Sequence, residues 1–138
     1  AILARADASN LVLQPTNSQT ISAICCCCGC CCGILMNLKK LRRPARHVAS
    51  AYVAELDGEA CVHCGRCLER CQMDALTDAD DRVALDVERC IGCGLCVSTC
   101  PSGALRLSRK PDSAREPVPE TFDETWRIIV ADQARQRR

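Results

Sequence analysis

The chain has 138 residues, with 15 cysteines, three aromatic side chains (Tyr52, Phe122 and Trp126) and a formal charge of +1. So few large side chains cannot fill a conventional core, so bound metal is expected to supply part of the folding energy and the apo-protein to be largely unfolded. No run of 18 apolar residues is present to span a membrane, and an odd cysteine count without a signal-peptide pattern argues against a disulfide framework and for a reducing, cytoplasmic setting.

The near-neutral total hides an asymmetry. Residues 1–51 carry +5, residues 52–110 carry −3 and residues 111–138 carry −1. Such polarity steers encounters with charged partners, although a plain solvated surface reads the same way.

In chain order, four segments are expected: 1–24, 25–51, 52–110 and 111–138. The first opens inside a helix (Ile2, Leu3, Ala6) with no Met, as a piece of a longer polypeptide would. Leu11–Gln14 reads as a short strand stopped by Pro15, and Asn17–Gln19 as a turn. A cysteine tract fills positions 25–32, interrupted only by Gly29. Ile34, Leu35, Leu38 and Leu41 then show helical spacing, halted before Pro44. Lys39, Lys40, Arg42, Arg43 and Arg46 form a basic run without aromatic stacking partners, so nucleic acid is not expected. A solvated helix face or a contact to the acidic segment is the better reading.

In the third segment Tyr52–Asp57 alternates as a strand, Leu68–Met73 reads as a short helix, and Ala75–Thr77 with Val83–Asp86 fits a hairpin. Ala104–Ser108 is the last strand, placed to pair with 52–57. The fourth segment has a linker with Pro111, Pro117 and Pro119, then a helix over 120–134 opened by the capping box Thr121–Glu124. Phe122, Trp126, Ile129 and Val130 make one apolar stripe there. It is expected either to pack on the preceding segment or to dock on another subunit.

The chemistry lies in two cysteine motifs. Cys61, Cys64, Cys67 and Cys71 are spaced C-x2-C-x2-C-x3-C, and Cys90, Cys93, Cys96 and Cys100 repeat that spacing before Pro101. Two-residue gaps let a loop curl round one iron–sulfur cube and present three thiolates to it. The fourth cysteine lies a helical turn further on, too far round to close the same cube, so it serves the other cluster. The expected ligands are Cys61, Cys64, Cys67 and Cys100 for cluster I, and Cys90, Cys93, Cys96 and Cys71 for cluster II. Zinc sites pair two C-x2-C units and have no use for a third cysteine two residues on. Each cluster with its four thiolates adds roughly −2.

A shift of 29 residues carries Cys61 onto Cys90, Gly65 onto Gly94 and Ala75-Leu76 onto Ala104-Leu105. One supersecondary unit is therefore used twice. On these residues the segment from about 52 to 110 resembles the bacterial two-[4Fe–4S] ferredoxins. That resemblance implies an α+β, pseudo-twofold fold, two [4Fe–4S] clusters and low-potential electron transfer. Gln72 departs from it, standing where the first half would often carry Pro. His63, inside the first loop, reads as a surface residue or an outer-layer tuner of cluster I, because four cysteines already fill that cube.

Within the tract, Cys25, Cys28 and Cys31 reproduce the C-x2-C-x2-C pitch. A third [4Fe–4S] cluster is expected on them, with Cys32, Cys30, Cys27 or a residue elsewhere as fourth ligand and Cys32 taken first. Metallothionein-like binding, an acylated tract and a thiol switch are the alternatives. The run Leu11 to Gln19, the tract, Ser50–Ala54 and both motifs together look like larger 4Fe–4S-binding proteins of anaerobic metabolism. Those usually carry Asn at the position of Cys26. This resemblance implies a C-terminal region of such a protein, preceded by a domain that adds cysteines. The chain then reads as an electron-transfer subunit serving a multi-subunit oxidoreductase, with no catalysis of its own. The alternative is an oxygen- or redox-sensing regulatory protein.

Overall fold

The computed structural model describes residues 1–115 and 117–136. Their order is α1 (Ile2–Ala8), β1 (Val12–Pro15), β2 (Ile24–Cys27), α2 (Gly33–Lys40), a 3-10 turn (Pro44–His47), β3 (Tyr52–Leu56), α3 (Arg66–Arg70), β4 (Leu76–Ala79), β5 (Arg82–Leu85), α4 (Leu95–Ser98), β6 (Leu105–Arg109), a second 3-10 turn (Asp112–Ala114) and α5 (Phe122–Gln136). This is an α+β fold built from three two-stranded antiparallel sheets.

The central unit closes as expected. β6 returns to pair with β3, from Tyr52 opposite Arg109 to Leu56 opposite Leu105. β4 and β5 form a hairpin whose turn residues Asp80 and Asp81 both have positive φ (44° and 67°), the conformation that matches the strands' own twist. The first short helix lies two to three residues earlier than expected, at Arg66–Arg70. Gly65 (φ 74°) starts it, and Cys71 leaves helical backbone at φ −78°, ψ 104°. Leaving there lets Cys71 point toward the other half of the unit.

The repeat persists in the backbone. Gly65 and Gly94 both start a helix from a left-handed conformation. His63 (φ 49°) matches Gly92 (φ 69°), and Asp74 (φ 51°) matches Gly103 (φ 68°). Asp57 Oδ1 accepts from the N–H of Glu59, as Asp86 Oδ1 does from Glu88. The interior is made of small side chains and thiols. Ala54, Ala75, Leu76, Val83 and Leu105 bury together with Cys67, Cys90 and Cys96.

A second apolar group joins the first 51 residues to this unit. Val12 and Leu35 bury against Met73 and Leu95, and Cys27, Cys32, Cys71 and Cys93 each pack against that group. The tract is not irregular. Its first half is strand β2, paired with β1 from Val12 opposite Cys27 to Pro15 opposite Ile24. The basic run touches the acidic segment, as one of its two readings required. Lys39 Nζ lies 2.9 Å from Asp74 Oδ1, and Arg43 and Arg46 reach Glu88 at 3.4 and 3.1 Å.

The capping box at the start of α5 forms. Glu124 N–H donates to Thr121 Oγ1 at 3.3 Å, and Thr121 N–H donates back to Glu124 Oε2 at 3.4 Å. The stripe does not pack on the cluster unit, contrary to one expectation: Phe122, Trp126, Ile129 and Val130 are all exposed. Gln19 and Thr20 donate N–H groups to the carbonyls of Pro119 and Glu120, which sets the helix beside the 17–20 loop. In that orientation Thr125 turns inward, and its hydroxyl donates to Asn17 O at 2.6 Å.

Candidate metal centres

Two cavities lie in the pseudo-twofold unit. One is lined by Cys61, Cys64 and Cys67 from the first loop and by Cys100 from the second half. The other is lined by Cys90, Cys93 and Cys96 from the second loop and by Cys71 from the first half. The remaining lining is mainly apolar. Leu56, Val83, Ala104 and Leu105 border the first, and Ala54, Met73, Leu76 and Ile91 the second. Each fourth cysteine thus crosses into the opposite cavity, because its backbone has left the short helix that carries the third.

The electrostatics match thiols gathered beside apolar side chains, more deeply in the second cavity than in the first, where Cys64 is exposed. Burial pushes the Cys96 thiol up to about 12, and the sulfurs of Cys93, Cys90 and Cys71 push the same way. Burial also raises Cys93, with Cys71 and Cys90 adding to it. In the first cavity burial raises Cys67, reinforced by Cys61, Cys64 and Cys100. Such thiols keep their protons until a cation compensates the charge. Burial acts upward on Cys100 too. There the backbone N–H groups of Leu105, Ala104 and Ser102 and the Ser102 hydroxyl outweigh it, and the net shift is downward. Ala54 N–H donates to Cys90 Sγ at 3.4 Å and Ala75 N–H to Cys71 Sγ at 3.2 Å. A donor set of four sulfurs in an apolar cradle, with N–H groups aimed at them, fits a cubane iron–sulfur cluster.

Several residues that hold these loops are not obvious in the sequence. A Cβ on Gly92 would lie 2.2 Å from Tyr52 O and 2.6 Å from Ser50 Oγ. Its pairing with His63 across the repeat was the available signal, but His63 hid it. His63 itself meets Asp78 Oδ1 at 3.0 Å. Gln72 is a strut: its Oε1 accepts from Gly29 N–H at 2.8 Å and its Nε2 donates to Asn10 O at 3.0 Å. Arg70 donates to Asp7 O at 2.7 Å and to Leu95 O at 3.2 Å. Arg89 donates to the carbonyls of Met73, Leu41 and Lys39, and so caps the end of α2.

The tract cysteines separate into two sets. Cys28, Cys30 and Cys31 bring their sulfurs within 4.8 Å of one another. Of the four expected there, Cys28 and Cys31 belong to this group, while Cys25 and Cys32 do not. The hydrogen bond shared with Cys30 lowers the Cys28 thiol to about 7, and the same contact raises Cys30 to about 11. Cys32 precedes α2, and the Leu35 backbone N–H leads the groups that lower its thiol. Burial raises Cys27, helped by the Cys32 sulfur beside it.

Among the described residues no helix is long and apolar enough to cross a membrane. No curated protein matches the chain. Residues 54–107 match the family model of the 4Fe-4S dicluster domain, and a domain of that kind implies two [4Fe–4S] clusters and iron–sulfur electron transfer.

Proposed function

We propose that this chain is an electron-transfer protein, or the electron-transfer subunit of an oxidoreductase, that exchanges low-potential electrons with a protein partner. Cluster I is held by Cys61, Cys64, Cys67 and Cys100, and cluster II by Cys90, Cys93, Cys96 and Cys71. The observation that carries this reading is the pair of cavities, each bordered by three cysteines of one loop and a fourth from the other half. Bound there, the clusters supply one-electron carriers with potentials in the negative part of a range of about −700 to +450 mV. The chain's own residues exclude water with apolar lining, aim N–H groups at Cys71, Cys90 and Cys100, and hold both loops in one register. Those donors stabilise negative charge on the thiolates, which is the protein's lever on potential.

Iron and sulfide content, with redox titration and electron paramagnetic resonance of the reduced protein, tests the reading. Two centres that reduce reversibly support it. Clusters that cannot be reduced reversibly would make them structural and overturn it. Cluster loss in air coupled to a change in partner affinity would favour the regulatory alternative. The C-x2-C-x2-C pitch of Cys25, Cys28 and Cys31 would extend the relay through a third cluster, but of these three only Cys28 and Cys31 gather in space, with Cys30. That extension predicts about twelve irons per chain, against about eight from the two cavities alone.

A further inference from the structure

Eight cysteines line the two cavities, and seven in the tract do not. Of these, Cys27 and Cys32 lean on the apolar group of Val12, Leu35, Met73 and Leu95. Cys28, Cys30 and Cys31 gather instead at the turn between β2 and α2, where Cys30 and Cys31 are exposed. The Cys28 and Cys30 sulfurs are 2.7 Å apart, and those of Cys30 and Cys31 are 3.5 Å apart.

The turn that gathers them is braced on two sides. Cys32 N–H donates to Cys28 O at 3.1 Å, closing one helical turn around Gly29, Cys30 and Cys31. Gly29 N–H is held from the dicluster domain by Gln72 Oε1 at 2.8 Å. A site braced in this way loses little conformational freedom when an ion arrives.

Sulfur spacing decides what fits. Around one ion with metal–sulfur bonds of about 2.3 Å, tetrahedral ligand sulfurs sit about 3.8 Å apart. In a cube each thiolate binds a different iron and points away from the others, so the sulfurs splay. The cavity cysteines follow the second pattern: among the described residues, no three of them bring their sulfurs within 4.8 Å of one another, and the tract trio alone does so.

We propose that Cys28, Cys30 and Cys31 form a three-thiolate site for a single thiophilic d10 ion, Zn²⁺ or Cu⁺. Soft thiolates select these ions over harder divalent cations. Each thiol releases its proton to solvent as the ion binds. Three thiolates satisfy Cu⁺, whereas Zn²⁺ takes water or an external thiol as a fourth ligand on the exposed side. The site does not depend on electron transfer through the two cavities, and it excludes a third cube at the tract because both would use Cys28 and Cys31.

The test uses the full chain, loaded with its clusters and kept reduced under anaerobic conditions. Co²⁺, as a stand-in for Zn²⁺, is followed by its thiolate charge-transfer absorption and displaced by Zn²⁺. Cu⁺ is followed by competition with a chromophoric chelator, and native mass spectrometry counts bound ions. The expected result is one ion per chain, abolished by Cys28→Ser, Cys30→Ser or Cys31→Ser and kept by Cys25→Ser and Cys26→Ser. An unchanged iron content in every variant shows that the dicluster domain remains intact. Wild-type binding by Cys30→Ser overturns the proposal, as does failure of the reduced wild-type chain to take up either ion. Uptake of four further irons with sulfide at the tract, lost in Cys25→Ser, overturns it in favour of a third cube. Which of the two ions binds more tightly identifies the occupant. Absence of reversible cluster reduction would sink the electron-transfer reading and leave this one standing.

Discussion

His63 and Gly92 occupy the same place in the two halves, and both have left-handed backbone. An L-residue in that region carries a strain of about 1–2 kcal/mol that glycine avoids. His63 sits there with its ring against Asp78, an exposed pair that contributes little. His63→Gly should therefore melt within about 1 kcal/mol of wild type, while His63→Val, with its branched Cβ, should lose about 1–2 kcal/mol. Gly92 is the stricter position. Its missing Cβ makes room for Tyr52 O at 2.2 Å, so Gly92→Ala combines left-handed strain with a clash against backbone. A loss of about 2 kcal/mol or more is expected, read as a lower melting temperature of the cluster-loaded protein under anaerobic conditions. Equal melting of Gly92→Ala and wild type would show that the second loop is looser than its contacts imply.

The elements that flank the dicluster domain are moored by few side chains. Gln72 holds the cysteine turn and the end of α1 together through Gly29 and Asn10. Gln72→Ala strands one N–H and one carbonyl, a cost of about 1–3 kcal/mol if they stay unsatisfied. Amide exchange in residues 28–32 should speed up in that variant, with exchange in β3 and β6 unchanged. Helix α5 depends on Thr125 in the same way. Thr125→Val keeps the shape and removes the hydroxyl that donates to Asn17 O, so α5 should become more open to proteolysis at a cost of about 1 kcal/mol. The exposed stripe of Phe122, Trp126, Ile129 and Val130 would not resist that loosening. Helix periodicity revealed the stripe and Thr121–Glu124 revealed the start of the helix. Which face turns inward depended on the carbonyls of Pro119 and Asn17, which no local pattern encodes.

At the scale of the whole molecule, the accessible surface is 9383 Å², against about 7,000 Å² for a compact monomer of 15.0 kDa. The excess is consistent with thin arms around a small unit, and with a core whose largest fully buried side chains are Leu35, Met73 and Pro44. Two alanines, three cysteines, Leu76, Val83 and Leu105 make up the buried dicluster interior, and so small a group buries too little apolar area to offset chain entropy unaided. Stripping iron with a chelator under anaerobic conditions should abolish the far-ultraviolet signal of β3 and β6, and returning iron and sulfide should restore it. Persistence of native exchange protection in the apo-protein would show that packing alone suffices. The ion pairs of Lys39, Arg43 and Arg46 with Asp74 and Glu88 add little to that balance, because they are exposed.

The cysteine spacing over residues 61–100 by itself pointed to a dicluster domain, since the gap between thiols sets which of them can face one cube. The 29-residue repeat and the alternation of residues 52–57 and 104–108 also pointed to the closing of β3 on β6. Tertiary structure alone decided how the seven tract cysteines divide. Along the chain they are near-equivalent neighbours, and the C-x2-C-x2-C pitch favours Cys25 with Cys28 and Cys31. In space, pairing of β2 with β1 places Cys25 in a strand, and the turn braced by Gln72 substitutes Cys30. That choice rests on strand pairing across 9 to 15 positions and on the contact of Gln72 with Gly29 across 43, and no local spacing rule reaches so far.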